Sequence, residues 1–533
     1  MARDTEKHPR ALSPSTAIFN ILIASLGSII GLQLIVTLGI TPNTAIIGAL
    51  VAMLVARVPV KFFGKFRSLH EQNLVQTSIS SATFGAANSL MIPIGIPFAM
   101  GKPELVMPML IGAALAMAAD ATILYKLFDT KIFPAKSAWP PGVATAEALH
   151  AGDQGGKRAG LLGIGTAVGL VGSYFGISMS AFGVAFIGNI WALTMFGVGL
   201  LLRGYSKPIL GFDINSIYVP HGFMIGAGVV ALVQVVLLLR KKKSSDVGVS
   251  KDQGIYQGLT GSDKDISQGF GYGFLAYLVI SLILALSTGI ATHMSFGMLL
   301  GYLLFAACAA FVHELIVGIS AMHSGWFPAF AVALITLIIG MLVGFPPVAL
   351  GLMVGFSAAT GPAFADMGYD LKTGYILRGE GRDLALEKDG RKQQYITAML
   401  AFFVSFLVVL ISYKSFFAAN LIPPVDKVYV ATIQAGASPE VAKNLLLWAI
   451  PGAILQFLGG PSRQMGVLFA TGLLILNPKA GWAVLVGILI RAIVLKLKGK
   501  EAESSLSVFA AGCIAGDALY SFFSSMFKLG FKK

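Results

Sequence analysis

The sequence has few charged residues and almost no cysteine, and both shortages exclude whole classes of protein. Of its 533 residues, 12% are charged and 56% are hydrophobic, whereas roughly 25% are charged in soluble domains. So few polar groups could not cover the surface of a soluble chain of this size, and we expect the solvent to be lipid. Two cysteines, Cys308 and Cys513, exclude a disulfide framework and a cysteine-rich metal site.

The sequence also lacks the motifs of nucleotide hydrolysis and of zinc proteolysis. No Gly-x-x-x-x-Gly-Lys-[Ser/Thr] stretch occurs, so there is no P-loop. His313-Glu314 begins like a zinc-protease helix, but Val317 stands where the second histidine is required. We therefore expect no enzymatic activity, no cofactor and no metal site. The net charge of +14 is spread over loops, which is typical of membrane topology rather than of nucleic-acid binding.

Long hydrophobic runs dominate what is present. A run of about 17–25 apolar residues crosses a bilayer as a helix, because unpaired backbone groups are costly in lipid. We predict an all-α polytopic integral membrane protein with about 15–16 transmembrane helices, some of them broken or re-entrant. The runs are 16–39, 42–60, 73–100, 104–127, 159–178, 181–202, 219–239, 269–290, 295–320, 326–344, 346–365, 395–418, 441–459, 463–477, 479–497 and 504–527.

Basic residues in the connections predict which of them face the cytoplasm. Three crossings between 159 and 239 would put 240–243 on the opposite side from the other basic connections, so we expect a broken or re-entrant element near 203–218. The last run, 504–527, holds Gly512, Gly516 and Asp517 at its centre and is a candidate hairpin. The predicted cytoplasmic connections are 61–67, 126–158, 240–243, 378–392 and 496–500.

A polar stretch rich in glycine and serine divides the chain. We predict an N-terminal transmembrane half at 1–240, a cytoplasmic linker at 241–268 and a C-terminal transmembrane half at 269–533. Each half has a helix studded with polar residues and, after it, a loop with Pro, Gly and Asp. This weak symmetry is typical of transporters built from repeats, so we predict two related halves.

A polar stripe follows one face of the helix predicted at 73–100, and Pro93, Gly95 and Pro97 then interrupt the same run. Helices interrupted in this way expose their ends to substrates or ions. The stripe itself has two interpretations, which are hydrogen bonds between helices, worth about 0.6 kcal/mol each, or the wall of a water-filled pathway. Its residues are Asn73, Thr77, Ser80, Ser81 and Asn88, with Glu71 at its mouth.

Two further stretches combine turn residues with polar side chains. In 133–153, Pro140-Pro141-Gly142 forces a turn before a short helix that carries Thr145 and Glu147. In 349–375, a glycine-rich helix runs into Asp366, Asp370 and Lys372. Each has a purely structural alternative, namely a solvated connector for the first and a cap at the membrane interface for the second.

Ionisable residues inside the apolar runs are the sharpest signal. A charge at mid-membrane costs at least about 2.5 kcal/mol on insertion scales, so something must compensate it. His313 and Glu314 could relay a proton, because histidine titrates near neutrality and a desolvated glutamate approaches it. A paired structural charge is the alternative at each site. The residues are Asp120, His313, Glu314 and Asp517, with His323 and Arg463 at breaks between runs.

Four stretches together resemble the motifs of the oligopeptide transporter (OPT) family, which includes the yellow stripe-like metal-chelate carriers. Gln72 and Tyr369 depart from the family pattern, Asp517 stands in a glutamate position, and residues 378–389 are an insertion. The length and the mid-chain loop are similar to those of prokaryotic members. The stretches are EQNLVQT at 71–77, WPPGVATAEAL at 139–149, DLKTGY at 370–375 and GCIAGDALYSF at 512–522.

The resemblance implies proton-coupled import of oligopeptides or metal chelates across the inner, cytoplasmic membrane. The expected partners are a small molecule or short peptide, the proton and the lipid bilayer, and the glycine-rich helices are compatible with a homodimer. For the coupling proton we expect His313, Glu314, Asp120 and Asp517. For the substrate we expect Glu71, Asn73, Gln76, Thr77, Ser81, Asn88, Thr145, Glu147, His323, Asp370 and Lys372.

Two other classes of function stay open on the sequence. A passive channel would have the same helices without coupling to an ion gradient. An intramembrane aspartyl protease is the other alternative, because Ile514-Ala515-Gly516-Asp517 is loosely similar to the Gly-x-Gly-Asp of such enzymes.

Overall fold

The structure, a computed structural model, describes residues 8–38, 44–57, 61–240, 258–436, 438–499 and 501–530. Within these ranges the regular elements are helices and there is no β-strand. The α-helices are α1 Pro14–Leu38, α2 Thr44–Arg57, α3 Leu69–Phe84, α4 Ile92–Ala99, α5 Val106–Leu127, α6 Pro140–Gln154, α7 Gly156–Tyr174, α8 Met179–Ile187, α9 Ile190–Leu210, α10 Val219–Arg240, α11 Asp263–Ser287, α12 Phe296–Ser324, α13 Ala329–Val343, α14 Pro347–Ala359, α15 Pro362–Leu377, α16 Leu384–Ala418, α17 Pro424–Ala435, α18 Pro439–Arg463, α19 Met465–Leu474, α20 Pro478–Lys498 and α21 Ala502–Gly530.

Nine helical stretches of the described residues are long and apolar enough to cross a membrane. A helix needs about 20 residues for the ~30 Å hydrocarbon core. The prediction of an all-α polytopic membrane protein is confirmed. The count of nine for the described residues is smaller than the predicted 15–16, in part because the runs 326–344 and 463–477 form helices of only 15 and 10 residues.

Two of the long stretches depart from regular α-helix near their middle. A π-helical turn, Gly85–Met91, joins α3 to α4 without interrupting the helix, and such turns often mark functional sites. The interruption predicted at Pro93, Gly95 and Pro97 is wrong, because α4 runs through all three residues. The run predicted at 346–365 is not one continuous crossing, because α14 ends at Ala359 and α15 begins at Pro362. Gly361 between them has a φ of +89°, a left-handed conformation that favours glycine.

The broken element predicted near 203–218 is wrong for 203–210, because α9 continues to Leu210; a short 3-10 turn, Ile214–Ile217, then leads into α10. A break lies earlier in the chain. The run 181–202 is divided at Gly188-Asn189, where the Asn189 side chain caps α9 by accepting the N–H of Ala192. With nine residues, α8 is about 14 Å long at 1.5 Å per residue and cannot cross a bilayer. The run 181–202 is therefore not a single crossing, and the side of 240–243 stays a prediction.

The hairpin considered for 504–527 is wrong, because α21 runs without a break from Ala502 to Gly530. The glycines at its centre have a packing role instead. A Cβ at Gly512 would lie 2.4 Å from the carbonyl oxygen of Leu162, and one at Gly516 would lie 2.3 Å from that of Thr166. Small residues therefore bring α21 against the backbone of α7, as in many membrane helix pairs.

Helices of the two parts of the chain pack in reciprocal order. Helix α7 packs on α21, α8 on α20, α9 on α19 and α10 on α18. Both α9 and α20 follow a capping asparagine, Asn189 or Asn477, and carry an arginine, Arg203 or Arg491, at the same spacing from it. Two repeats related by a two-fold axis would pack in this way.

The division at 241–268 into two related halves stays a prediction, which this reciprocal packing supports. Residues 241–257 of the predicted linker lie outside the described residues, as do Lys241 to Lys243, Lys500 and part of the run 42–60. Helix α11 begins at Asp263, inside the predicted linker.

Polar contacts bring several predicted cytoplasmic connections together. The Arg391 guanidinium donates to the carbonyl oxygen of Phe128 at 3.1 Å and to the hydroxyl of Thr260 at 2.8 Å. Lys131 pairs with Asp263 at 2.9 Å. The connection after α5 and the one before α16 therefore lie on the same side of the bundle, as their basic residues predict.

Close packing of α10 on α18 gives a test of the fold. A Cβ at Gly226 would lie 1.8 Å from the carbonyl oxygen of Ala449, so Gly226→Ala should destabilise the protein by about 1–3 kcal/mol. Gly271→Ala is the matched control, because nothing lies within 4 Å of its Cβ position and alanine favours the helix. Thermal melting in detergent, followed by size-exclusion chromatography, should show a lower Tm for Gly226→Ala alone. Equal Tm values would contradict the packing.

Candidate functional site

Two adjoining cavities lie where the broken helices meet the short ones. The first, which we call the acidic cavity, has a volume of about 320 Å³, within the range of roughly 300–1,000 Å³ for small-molecule sites. It is bounded by the π-helical turn, the start of α6, α8 and α21, and the connection between α12 and α13. It is lined by Phe84, Asn88, Pro141, Ser180, Val184, Gly325, Trp326, Phe327, Tyr369, Ile514, Asp517, Ala518 and Ser521.

The second, the apolar cavity, has a volume of about 440 Å³ and shares Asn88 and Phe327 with the first. Pro362 at the start of α15 and Pro424 at the start of α17 form part of its wall. The two cavities thus meet at the π-helical turn, beside first turns of short or broken helices, where transporters commonly bind substrates. Its lining is Ile35, Asn88, Ile92, Phe327, Ala329, Phe330, Ala358, Pro362, Pro424, Val425, Val428 and Tyr429.

Asp517 on α21 reaches the acidic cavity and the first turn of α8. One carboxylate oxygen accepts the backbone N–H of Ser180 at 2.9 Å, and the other accepts the hydroxyl of Ser173. The positive end of the α8 dipole and these donors compensate the charge that the sequence places inside an apolar run. Asp517 was predicted as a proton site, and its role stays a prediction.

Asp120 holds the start of α15 in a similar way. Its carboxylate accepts the backbone N–H of Gly361 at 2.9 Å and that of Phe364 at 2.7 Å. Asp120 is fully buried. The break between α14 and α15 therefore supplies the N–H groups that this buried carboxylate needs.

Glu314 completes a cluster with Asp120. The Tyr277 hydroxyl lies 2.5 Å from an oxygen of Glu314 and 3.3 Å from an oxygen of Asp120. All three side chains are fully buried, and no described residue forms a salt bridge with either carboxyl group. Two negative charges so close together without a cation would repel strongly. The role of Asp120 and Glu314 as proton sites stays a prediction.

His313 and His323 do not join this cluster. The Nδ1 atom of His313 contacts the carbonyl oxygen of Ser357 and lies 3.4 Å from the Thr360 hydroxyl, which ties it to the end of α14. His313 and Glu314 thus contact different neighbours, although they are consecutive. His323 is buried near the end of α12 and lies outside the lining of both cavities.

The polar stripe of α3 faces α15 and α16. Gln76 donates to Asp370 at 2.5 Å, and Ser81 donates to the other oxygen of Asp370 at 3.2 Å. Asn73 donates to Gln76 at 3.1 Å, and Thr77 accepts from Gln394 at 3.3 Å. These residues are buried. Such contacts favour hydrogen bonds between helices over a pathway wall, except at Asn88, which lines both cavities.

The remaining predicted substrate residues also have partners within the protein. They lie outside the linings of the acidic and apolar cavities, and their role in substrate binding stays a prediction. Glu71 accepts from Thr16, Glu147 pairs with Arg158, the Thr145 hydroxyl donates to the carbonyl oxygen of Pro141, and Lys372 donates to that of Ala135 at 2.7 Å.

Several residues of the cavities and of the buried carboxyl groups were not predicted from the sequence. Tyr277 and Trp326 look like ordinary aromatics of apolar runs, and only the fold puts them beside the carboxylates and the cavity. Asp426 lies in a polar stretch typical of an interface, yet it is fully buried on α17 and neither of its oxygens has a hydrogen-bond partner. Gly95 on α4 makes room for it, since a Cβ there would lie 1.9 Å from its Oδ2 atom.

Comparison with known proteins places almost the whole chain in one family. A sequence model described as OPT oligopeptide transporter protein matches residues 14–240 and 230–528. No curated protein matches the sequence.

The hydroxyl of Tyr277 can be tested separately from its ring. Tyr277→Phe removes the donor that links Asp120 and Glu314, and we expect a loss of about 1–3 kcal/mol in stability because a buried carboxyl loses its partner. Tyr272→Phe is the matched control, because Tyr272 lies on the same helix and is 69% exposed. Melting curves in detergent should separate the two variants, and coincident curves would exclude the cluster.

Proposed function

Because the chain belongs to the oligopeptide transporter (OPT) family, we propose that it imports short peptides, or peptide-like metal chelates, in symport with protons. Transport of oligopeptides follows from the family, and metal chelates as substrates are part of the proposal. Coupling to protons and location in the inner, cytoplasmic membrane are the finer part of the proposal. The observation that carries the coupling is the fully buried cluster of Asp120, Tyr277 and Glu314, which has two carboxyl groups and no described cation partner.

The cluster is connected to the cavity wall through the first turn of α15. Asp120 accepts N–H groups from Gly361 and Phe364, and Pro362 between them lines the apolar cavity. A carboxylate accepts such bonds more strongly than a protonated carboxyl group does. A proton that reaches Asp120 would therefore weaken its hold on α15 and let the cavity wall move.

This link provides a route from proton binding to alternating access. Protonation from the outer side would loosen the break between α14 and α15 while the substrate is bound. Release of the proton to the cytoplasm would restore the bonds from Gly361 and Phe364. Broken helices of this kind are where repeat-built transporters commonly bind their substrates and coupling ions.

His313 has a supporting role in this proposal. Its contact with the carbonyl oxygen of Ser357 holds the end of α14, one side of the same break, while Asp120 holds the other side. Movement at the break would change both contacts together. A passive channel would not need a proton site attached to a helix break, so this geometry favours a symporter.

Uptake into proteoliposomes tests the coupling at Glu314. Glu314→Gln keeps a similar shape and hydrogen-bonding capacity but cannot release a proton. We expect it to retain exchange of labelled trialanine between the two sides, and to lose accumulation driven by an imposed pH gradient by about tenfold or more. Glu104→Gln is the matched control, because the Glu104 side chain is 61% exposed.

The two measurements separate the alternatives. Gradient-driven accumulation at the wild-type level in Glu314→Gln would remove Glu314 from coupling. Downhill flux without accumulation in the wild-type protein would identify a channel. Cleavage of the peptide in place of transport would favour the protease alternative.

A further inference from the structure

On the premise that the proposed transport function holds, we infer that the acidic cavity binds a cationic group of the substrate, with Asp517 as its counter-ion. In a short peptide this group is the N-terminal ammonium.

The walls of the two cavities carry a single sign of charge. Among the described residues that line them, Asp517 is the one with a charged side chain, and neither lining includes lysine, arginine or histidine. A cation that enters is attracted to Asp517, whereas a substrate carboxylate finds no basic side chain to pair with. The lining thus selects a positive group over a negative one.

Asp517 is held in place and still has room to bind. The Ser173 hydroxyl and the Ser180 N–H donate to different oxygens of the carboxylate. A carboxylate has about four acceptor sites, so two remain for a ligand, and Asp517 is only partly buried at the cavity wall. These two bonds fix its orientation before the substrate arrives, which lowers the entropy lost on binding.

Aromatic rings complete the environment for a cation. Phe84, Trp326, Phe327 and Tyr369 all line the acidic cavity. The face of an aromatic ring attracts ammonium groups. Tyr369 is oriented by its hydroxyl, which donates to the carbonyl oxygen of Gly325 at 3.1 Å. The carboxylate and the aromatic rings together can compensate an ammonium group for the water molecules that it loses on binding.

Asp517, the proposed counter-ion of the substrate, lies apart from Asp120 and Glu314, the proposed proton site. Asp120 and Glu314 are fully buried and do not line either cavity, so they are shielded from the substrate. The substrate would extend from Asp517 past Asn88, which lies at the junction, into the apolar cavity. The lining of the apolar cavity has no basic side chain to pair with a carboxylate at the other end of the substrate, so a substrate whose other end is neutral should also bind.

The wild-type protein in proteoliposomes provides the first test, with three competitors of labelled trialanine exchange. Trialanine has both charged ends, trialaninamide keeps only the ammonium, and N-acetyl-trialanine keeps only the carboxylate. We expect trialaninamide to compete within about threefold of trialanine, and N-acetyl-trialanine to compete at least about tenfold more weakly.

Variants at the carboxylate provide the second test. Asp517→Asn should weaken competition by trialanine at least about tenfold, because it removes the counter-ion of a desolvated charge. Asp517→Glu keeps the charge and should bind more tightly than Asp517→Asn. Asp153→Asn is the control, since Asp153 is an exposed carboxylate on α6.

The results distinguish binding of the ammonium group at Asp517 from a proton site at Asp517 and from a failure of the proposed peptide transport. Equal competition by N-acetyl-trialanine and trialanine in the wild-type protein would overturn the inference, even if Asp517→Asn did not fold. So would an Asp517→Asn protein that binds trialanine normally and loses only gradient-driven accumulation, since Asp517 would then be a proton site. Failure of the wild-type protein to exchange trialanine at all would count against the proposed peptide transport itself.

Discussion

Inside a bundle of membrane-spanning helices, a carboxylate needs partners, since an uncompensated buried charge costs several kcal/mol. Asp120 and Asp517 find these partners in the same kind of place, the first turn of a helix that begins within the bundle. Gly361 and Phe364 of α15 donate to Asp120, and Ser180 of α8 donates to Asp517. An uninterrupted transmembrane helix could not provide such groups, because its N–H groups are already bonded to its own carbonyls.

The helix breaks supply these N–H donors, and they also form part of the cavity walls. Where α14 ends and α15 begins, the chain turns at Gly361, and Pro362 is left at the cavity wall. The π-helical turn after α3 similarly places Asn88 at the junction of the two cavities. The elements that stabilise the buried charges are thus the ones that shape the binding space, so a change of charge can alter that space.

Hydrogen bonds join the helices around the cavities. The stripe on α3 is paired with Asp366 and Asp370 on α15 and with Gln394 on α16. Beyond it, the fully buried Arg378 and Glu387 form an ion pair at 2.8 Å that joins α15 to α16. Hydrogen bonds of this kind restrain the helices that they join, whereas the proposed mechanism requires movement at the break between α14 and α15.

Much of this protein was predictable from sequence because lipid imposes a simple rule, that apolar runs become helices. The helices and the presence of Asp120, Glu314 and Asp517 inside apolar runs followed on that basis, whereas the interruption expected at Pro93, Gly95 and Pro97 is not found, because α4 continues through them. The partners of the three acidic residues were not predicted, because hydropathy does not say which helix lies beside which. Tertiary packing alone brought Tyr277 between Asp120 and Glu314, paired Asp370 with Gln76, and buried Asp426 against Gly95. It also placed the break at 188–189, because capping by Asn189 and the packing of α9 on α19 and α20 are contacts that composition does not encode.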